Sequence, residues 1–174
     1  MSKYYIRLNS KRCIRCKACE IQCQTHNTPV AEITLGELLS SPPGPEAETP
    51  EHISAFLPCF HCEQPWCVAV CPTQAMVRRP EDGIVYIDQE RCVGCKACIM
   101  VCPWNVPKFN RATGKVMKCD YCHDRLEQGL SPACVTACTT HALSFGPAGD
   151  DSKNTRDAYA KTICQGKKWV VEKE

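Results

Sequence analysis

The chain has 174 residues and a net charge of +2, which indicates neither a nucleic-acid-binding surface nor a charged membrane-binding one. Seventeen residues are cysteine, a share typical of scaffolds held together by covalent bonds or metal. Because there are only four Phe and three Trp, a conventional apolar core would be thin, and we expect metal centres to replace part of it.

The first predicted element is a short strand at "YYIRLN", residues 4–9. No apolar signal segment surrounds it, and no run in the chain approaches the roughly 18 apolar residues of a membrane helix. We therefore expect a cytoplasmic protein without membrane insertion. In that reducing compartment disulfides are rare and cysteine clusters favour metal.

Four cysteine quartets follow, in two alternating patterns. "KRCIRCKACEIQC" (11–23) has a near-copy in "ERCVGCKACIMVC" (90–102), while "PWCVAVCPTQAM" (65–76) resembles "PACVTACTTHAL" (132–143). If the pattern of 11–23 and 90–102 is called A and that of 65–76 and 132–143 is called B, the quartets follow the order A, B, A, B. The quartets are Cys13, Cys16, Cys19, Cys23; Cys59, Cys62, Cys67, Cys71; Cys92, Cys95, Cys98, Cys102; and Cys119, Cys122, Cys134, Cys138, which leaves only Cys164.

The segments between quartets give further elements. Residues 24–57, with "SPPGPEAETPE", predict a connecting loop, and "AMVRRPEDGIVYI" (75–87) predicts a hairpin around a Pro-Glu-Asp-Gly turn. "ALSFG" (142–146) predicts a last strand, and residues 147–174 form a polar tail of mixed charge.

The spacing of the cysteines favours [4Fe–4S] clusters over disulfides or zinc. Structural zinc prefers two separated pairs of ligands around one ion, whereas three cysteines of the A pattern crowd into one turn. "CVGCKACIMVCP" (92–103) is an intact bacterial ferredoxin pattern, and sixteen thiolates suffice for four clusters. In two-cluster ferredoxins the fourth cysteine binds the neighbouring cluster. We expect it just past the loop, at the start of a helix.

The hairpin between quartets two and three makes these two quartets one module. Quartets one and four then form a second module, closed by the strands at 4–9 and 142–146, in which the first is inserted. The alternative pairs quartet one with two and three with four, but the loop-like segment 24–57 gives it less support. The expected domains are an outer module (1–23 plus 104–146), a loop (24–57), an inner module (58–103) and the tail (147–174).

This nesting predicts an α+β fold of two bacterial-ferredoxin-like modules, with short hairpins and short helices around four clusters. It also predicts the ligands of each cluster, with three from one quartet and one from its partner quartet. They are Cys13, Cys16, Cys19 and Cys138 for cluster 1; Cys23, Cys119, Cys122 and Cys134 for cluster 2; Cys59, Cys62, Cys67 and Cys102 for cluster 3; and Cys71, Cys92, Cys95 and Cys98 for cluster 4.

"CFHCEQPWCVAVCPTQAM" followed by "GIVYIDQERCVGCKACIMVCPWNVPKFNRATGKVMKCDYC" resembles the four-cluster iron–sulfur subunits of molybdenum and tungsten oxidoreductases. These include the electron-transfer subunits of dimethyl sulfoxide reductase, polysulfide reductase and formate dehydrogenase; small polyferredoxin subunits of tungsten aldehyde oxidoreductases are similar. The resemblance covers roughly residues 4–146 and implies the same nesting. Two departures are Gln24 and Thr139, where Pro72 and Pro103 follow the fourth cysteine of the other quartets.

The resemblance implies a non-catalytic subunit of an anaerobic oxidoreductase complex. It would relay electrons between a large tungsten- or molybdenum-pterin catalytic subunit and a flavoprotein or other acceptor. The protein would be a hetero-oligomer, with head-to-tail stacking as a further option. The alternative is a freestanding polyferredoxin or accessory carrier for hydrogenase or formate metabolism. No catalytic constellation is present in the sequence.

Two histidines, His61 and His123, adjoin predicted ligand cysteines. Each is a candidate hydrogen-bond donor to cluster sulfur. We expect them instead to be polar residues at the module surface.

Overall fold

The computed structural model describes residues 3–27, 33–41 and 53–147. Within these ranges all helices and strands are short, and the strands pair two by two in antiparallel fashion, which makes the fold α+β. The elements in chain order are β1 (Tyr4–Leu8), α1 (Ala18–Asn27), β2 (Glu37–Ser41), β3 (Ile53–Leu57), α2 (Trp66–Ala69), β4 (Met76–Arg78), β5 (Val85–Ile87), α3 (Ala97–Val101), β6 (Lys108–Asn110), β7 (Lys115–Met117), α4 (His123–Glu127), α5 (Ala133–Thr136) and β8 (Leu143–Pro147).

The two ends of the described chain meet in one sheet. Strand β1 pairs with β8, with Tyr4 opposite Pro147 and Leu8 opposite Leu143. Between them in sequence, β4 and β5 form a hairpin whose turn closes when the Gly83 N–H donates to the Arg79 carbonyl. Gly83 has a φ of 74°, which glycine adopts without strain. The strands predicted at both chain ends and the hairpin within 75–87 are confirmed.

The helices also pack in two pairs, α1 against α5 and α2 against α3. The third cysteine of each quartet is the second residue of one of these helices, as in Ala18-Cys19 and Ala97-Cys98. Three intervening residues make one helical turn, so the fourth cysteine lies at or beyond the helix end in three quartets. The expectation that the fourth cysteine starts a helix is therefore wrong, because the helix begins one residue before the third.

Helix α1 is twice as long as α3 although both follow the same cysteine spacing. Cys102 ends α3 in an extended conformation because Pro103 follows it. The equivalent of Pro103 in the first quartet is Gln24, whose N–H does not interrupt the helix, and α1 continues to Asn27 with ten residues against five. In the first quartet the missing proline thus leaves room for a longer helix, whereas α5 ends at Thr136, before Cys138, although Thr139 is not proline either.

The segment 24–57, expected to be a connecting loop, holds the end of α1 and the antiparallel pair β2–β3. Buried and exposed residues alternate in β3, with Ser54 and Phe56 inside and Ala55 and Leu57 outside. This period of two is the pattern of a strand with one buried face. The Glu20 carboxylate accepts a hydrogen bond from the Leu38 N–H (2.6 Å), which fixes the pair to α1.

Two apolar cores form around cysteine side chains. The first is buried beneath β2–β3 and contains Ile33, Leu35, Leu38, Phe56 and Leu143 together with Cys19, Cys23 and Cys134. The second contains Met76, Val85 and Val116 around Cys98. Thiols are thus constituents of both cores. In the described part of the chain, no helix has the length and apolar character required to cross a membrane.

Candidate metal centres

All sixteen predicted ligands lie in the described residues as free thiols, and two cavities are each lined by four of them. One cavity joins Cys71 of the second quartet to Cys92, Cys95 and Cys98 of the third. The other joins Cys23 of the first quartet to Cys119, Cys122 and Cys134 of the fourth. Each cavity therefore combines three cysteines of one quartet with one cysteine of another.

Six of the other eight thiols are related across quartets by electrostatics. Burial raises the pKa of Cys19 to about 11, and the Cys138 thiol is among the charges that add to this rise. Burial likewise raises the pKa of Cys62, with Cys59 and Cys102 among the charges that add to it. The pKa of Cys67 is also raised, first by burial and then by the same two thiols. Cys13 packs against the core that contains Cys19, and Cys16 is exposed on the loop.

The cysteine loops have a backbone suited to holding a negatively charged group. In every quartet the residue before the second cysteine has a left-handed conformation: Arg15 (φ 58°), His61 (43°), Gly94 (67°) and Tyr121 (58°). Right- and left-handed residues in succession turn their N–H groups into one concavity, a common feature of iron–sulfur sites. At Gly94 a side chain is also excluded, because an added Cβ would overlap the carbonyl oxygen of Gly114 at the tip of β6–β7.

Two of the fourth cysteines accept several hydrogen bonds. The sulfur of Cys138 accepts hydrogen bonds from the N–H groups of Ala142 (3.2 Å) and Leu143 (3.4 Å) and lies 3.7 Å from the Thr140 hydroxyl. Burial acts to raise the pKa of Cys138, but these donors outweigh burial and the pKa is lowered. Cys71 has the equivalent arrangement with Thr73 and a lowered pKa. Both positions favour thiolate, the form that binds iron.

Most of the other thiols have raised pKa values because they are buried. Burial raises the pKa of Cys23 and of Cys98 to about 11, and neighbouring thiols add to the shift in both. Such groups stay protonated at neutral pH unless a cation compensates the negative charge. A coordinated iron supplies that charge and removes the proton.

The thiols are arranged for clusters rather than for single ions. In residues 3–27, 33–41 and 53–147, no three His, Cys, Asp or Glu side chains converge on a point that one metal ion could occupy. Four thiols that line a common cavity without converging suit a [4Fe–4S] cubane, whose four irons each take one ligand. The all-thiolate donor set and the left-handed residues of the loops fit this group.

Comparison with known proteins agrees with this chemistry. Residues 53–148 match the family model of the 4Fe-4S dicluster domain, and residues 10–26 match that of a 4Fe-4S binding domain. One relative is a component of the anaerobic dimethyl sulfoxide reductase of Escherichia coli (strain K12). The two sequences are 36% identical over 166 residues, which cover 91% of this chain and 80% of the relative.

Two further relatives have other substrates in their names. The chain is 40% identical over 175 residues to thiosulfate reductase electron transfer subunit PhsB of Salmonella typhi, covering 99% of this chain and 84% of the relative. It is 39% identical over 153 residues to one of the subunits of tetrathionate reductase of Salmonella typhimurium (strain LT2), covering 85% of this chain and 59% of the relative.

The chain belongs to the 4Fe-4S dicluster family of electron-transfer subunits. As a member of this family it carries [4Fe–4S] clusters, and its sixteen thiols fit four of them. Its role is electron transfer rather than catalysis.

Sequence reasoning missed Asn27, which belongs to the site. Its amide group donates to the carbonyl of Cys23 (3.0 Å) and lies 3.7 Å from the Cys23 thiol and 3.8 Å from the Cys122 thiol. It therefore links ligands from the first and fourth quartets. The signal was present, because Asn27 follows Cys23 by four residues, the spacing that places two side chains on one helix face.

The expectation for His61 is wrong. It is completely buried, and its Nδ1 accepts a hydrogen bond from the Val85 N–H (2.8 Å). Its ring lies 3.9 Å from the ring of Tyr121, and its Nε2 has no hydrogen-bond partner among the described residues. Burial first and then the charge of Lys118 lower its pKa well below the usual value, so the ring is neutral. His123 is half-buried and pairs with Asp120 at 2.8 Å.

Proposed function

We propose that this chain is the electron-transfer wire of a reductase complex, with four [4Fe–4S] clusters held in two nested ferredoxin-like modules. The observation that carries the proposal is the composition of the two cavities, in which one cysteine of one quartet joins three of another. The pairing of β1 with β8 and the packing of α1 on α5 support the outer module. The hairpin β4–β5 and the packing of α2 on α3 support the inner one.

The proposed ligands follow this arrangement. Cluster 1 takes three thiols from the first quartet and Cys138, and cluster 2 takes three from the fourth and Cys23. Cluster 3 takes three from the second and Cys102, and cluster 4 takes three from the third and Cys71. Asn27, between Cys23 and Cys122, supports the second set.

The clusters would lie in the order one, two, three, four. Burial raises the pKa of Cys119, and Cys59 and Cys23 are the charges that add most to it, so Cys119 lies between a thiol of cluster 3 and one of its own cluster. The backbone of Cys59 also hydrogen-bonds to the Cys119 thiol. Clusters 2 and 3 would therefore be neighbours across the junction of the modules.

This arrangement can be tested by replacing single ligands in the iron-loaded protein. Cys138→Ser and Cys13→Ser should alter the electron paramagnetic resonance signal of the same cluster, and Cys23→Ser and Cys122→Ser should both alter another one. If Cys23→Ser and Cys13→Ser alter the same signal, each quartet is self-contained and the nested assignment is wrong. Iron analysis of the wild type should give about sixteen irons per chain. A content of about four irons would contradict the four-cluster wire.

We propose a large tungsten- or molybdenum-pterin catalytic subunit as the partner at one end of the wire. Each relative described above is named as a chain or subunit of a reductase, which favours a complex over a freestanding polyferredoxin. A flavin-containing subunit is the proposed acceptor at the other end. Native purification followed by metal and cofactor analysis tests both. A chain that purifies alone would contradict the complex.

Exposed apolar residues at equivalent places in the two A-type loops support docking at both ends. Ile14 and Ile21 lie in the loop of the first quartet (11–23). Val93 and Met100 lie at the equivalent places in the loop of the third quartet (90–102), and all four are exposed. Because both ends carry such patches, head-to-tail stacking of complexes is a further part of the proposal. Electron microscopy that shows only closed particles of one size would contradict it.

We place the complex in the cytoplasm, where sixteen thiols stay reduced until clusters are inserted.

A further inference from the structure

Lys118 is a buried lysine between two of the cysteine quartets. It follows β7 and directly precedes Cys119, and only 6% of it is exposed. Its ammonium group donates to the carbonyl oxygens of Val85 and Cys119, the latter at 2.7 Å, and lies 3.7 Å from the Cys59 thiol. One cation therefore contacts a thiol of the second quartet and the backbone of a ligand in the fourth.

The other lysines near the cysteine loops differ from it. The side chain of Lys17 is 64% exposed and pairs with Glu20, and the exposed Lys96 lies over the ring of Phe109. Among the described residues no carboxylate forms an ion pair with Lys118; Asp120, two residues on, is paired with His123. Lysines are almost never buried without a partner. The partners here are two carbonyls and a thiol.

The surroundings hold this cation in place. Both backbone polar groups of Val85 in β5 form hydrogen bonds to side chains. Its N–H donates to His61 and its carbonyl accepts from Lys118. Val85 and His61 are both almost fully buried.

We propose that Lys118 tunes the reduction potential of the two clusters at the junction of the modules, above all the one bound by Cys59. The inference rests on the proposed ligand assignment. Reduction of a [4Fe–4S] cluster from 2+ to 1+ adds one negative charge and breaks no bond. A buried ammonium beside a ligand sulfur stabilises the reduced form more than the oxidised form, since charges interact strongly away from water. Lys118 thereby makes the middle of the wire a more favourable place for the electron.

The test is a potentiometric titration, followed by electron paramagnetic resonance, of the complete iron-loaded protein. We call the cluster bound by Cys59 the junction cluster. In Lys118→Met, its equilibrium constant for reduction should fall at least about tenfold, which makes its potential about 59 mV more negative for one electron. The shifted cluster should be the one whose signal Cys59→Ser alters. Lys118→Arg, which keeps the charge, should stay closer to the wild type than Lys118→Met does.

Lys96→Met is the matched control, since it removes the same charge beside the third quartet at an exposed site. Its effect should be less than about twofold, because water and salt screen exposed charges. Equal shifts in Lys96→Met and Lys118→Met, or no shift in Lys118→Met, would overturn the inference. Wild-type iron content and cluster signals are measured first. Fewer than four clusters defeats the proposed function, whereas four clusters without a selective shift defeats only this inference.

A measurement on the wild type covers the case in which Lys118→Met does not bind its clusters. Raising the salt concentration from about 0.01 M to about 1 M shortens the Debye length from roughly 30 Å to roughly 3 Å. The potential of the cluster bound by Cys59 should stay constant, while the reduction equilibrium constant of the cluster beside Lys96 should change by no more than the roughly twofold effect expected of Lys96→Met. If both potentials change alike, the charge beside Cys59 is not a buried one and the proposal is wrong.

Discussion

The two A-type loops, 11–23 and 90–102, have the same cysteine spacing and a different structure. In the third quartet, Pro103 ends α3 after five residues, whereas in the first, Gln24 allows α1 to reach ten. The longer helix brings Asn27 to the thiols of Cys23 and Cys122. In these two loops, the residue after the fourth cysteine therefore decides whether the helix continues far enough to bring a further side chain to the thiols.

The loops differ in a second respect, at the residue before the second cysteine. Arg15 and Gly94 both have a left-handed backbone there, but Arg15 is exposed whereas Gly94 lies against the tip of β6–β7. Cys19 and Cys23 of the first loop pack in the core beneath β2–β3, and the third loop is contacted directly by the backbone of Gly114. Similar ligand motifs are thus stabilised by different supports.

The largest expected effect is that of removing iron, which would abolish both loops together. Thiols belong to both cores, so the clusters should contribute more than the net free energy of unfolding, which is about 5–15 kcal/mol in natural proteins. Chelation should therefore leave the apoprotein unfolded. The cooperative far-ultraviolet circular dichroism transition should disappear. An apoprotein that melts like the untreated protein would show that the clusters are not part of the core.

Gly94→Ala should damage the third loop alone. Left-handed strain and the overlap with Gly114 together should cost roughly 4 kcal/mol in the free energy of unfolding. Gly114→Ala is the control, because Gly114 also has a positive φ (68°) but an added Cβ there meets nothing within 4 Å. It should cost only about 1 kcal/mol. Equal losses in chemical denaturation would mean that the contact with β6–β7 is unimportant.

Gln24→Pro should give the first loop the ending of the third. Proline within α1 removes a helical hydrogen bond and should cost about 3 kcal/mol. The signal of the cluster bound by Cys23 should change as Asn27 moves away. Pro103→Gln, the reverse exchange, should cost less than about 1 kcal/mol, since it introduces no clash. The proposed role of this position fails if both variants melt like the wild type.

Asn27→Ala should have the smallest effect. It removes the hydrogen bond to the Cys23 carbonyl and the weaker contacts with two thiols, and the cost should be about 1 kcal/mol. Only the potential of the cluster that we propose Cys23 and Cys122 to bind should become more negative. Thr25→Ala is the neighbouring control, because its hydroxyl donates to the Ile21 carbonyl and, in the described part of the chain, to no thiol. Indistinguishable potentials in the two variants would exclude a role for Asn27 at the cluster.

The metal chemistry and much of the fold could be predicted because they depend on local pattern. Cysteine spacing indicated the clusters, and turn residues and apolar runs indicated β1, β4, β5 and β8. The pair β2–β3 was missed because its strands flank the proline-rich stretch 42–52, which has the composition of a loop and lies outside the described residues. The tail 148–174, with Cys164, also lies outside them.

The positions of His61 and Lys118 could not have been predicted from pattern. Both types of residue are usually found at the surface, and their burial depends on Val85, whose peptide lies 24 residues beyond His61 and 33 before Lys118. Such distant partners leave no periodic signal. Asn27 was predictable in principle from its spacing to Cys23, but only once α1 was known to continue past Gln24.

The pairing of β1 with β8 also has a consequence for biosynthesis. The partner of Tyr4 is Pro147, so β1 must wait for β8 to leave the ribosome. At about 5–20 residues per second, this delay is roughly 7–30 seconds. The hairpin β4–β5 can form long before, and folding during translation should therefore proceed from the middle of the chain outward.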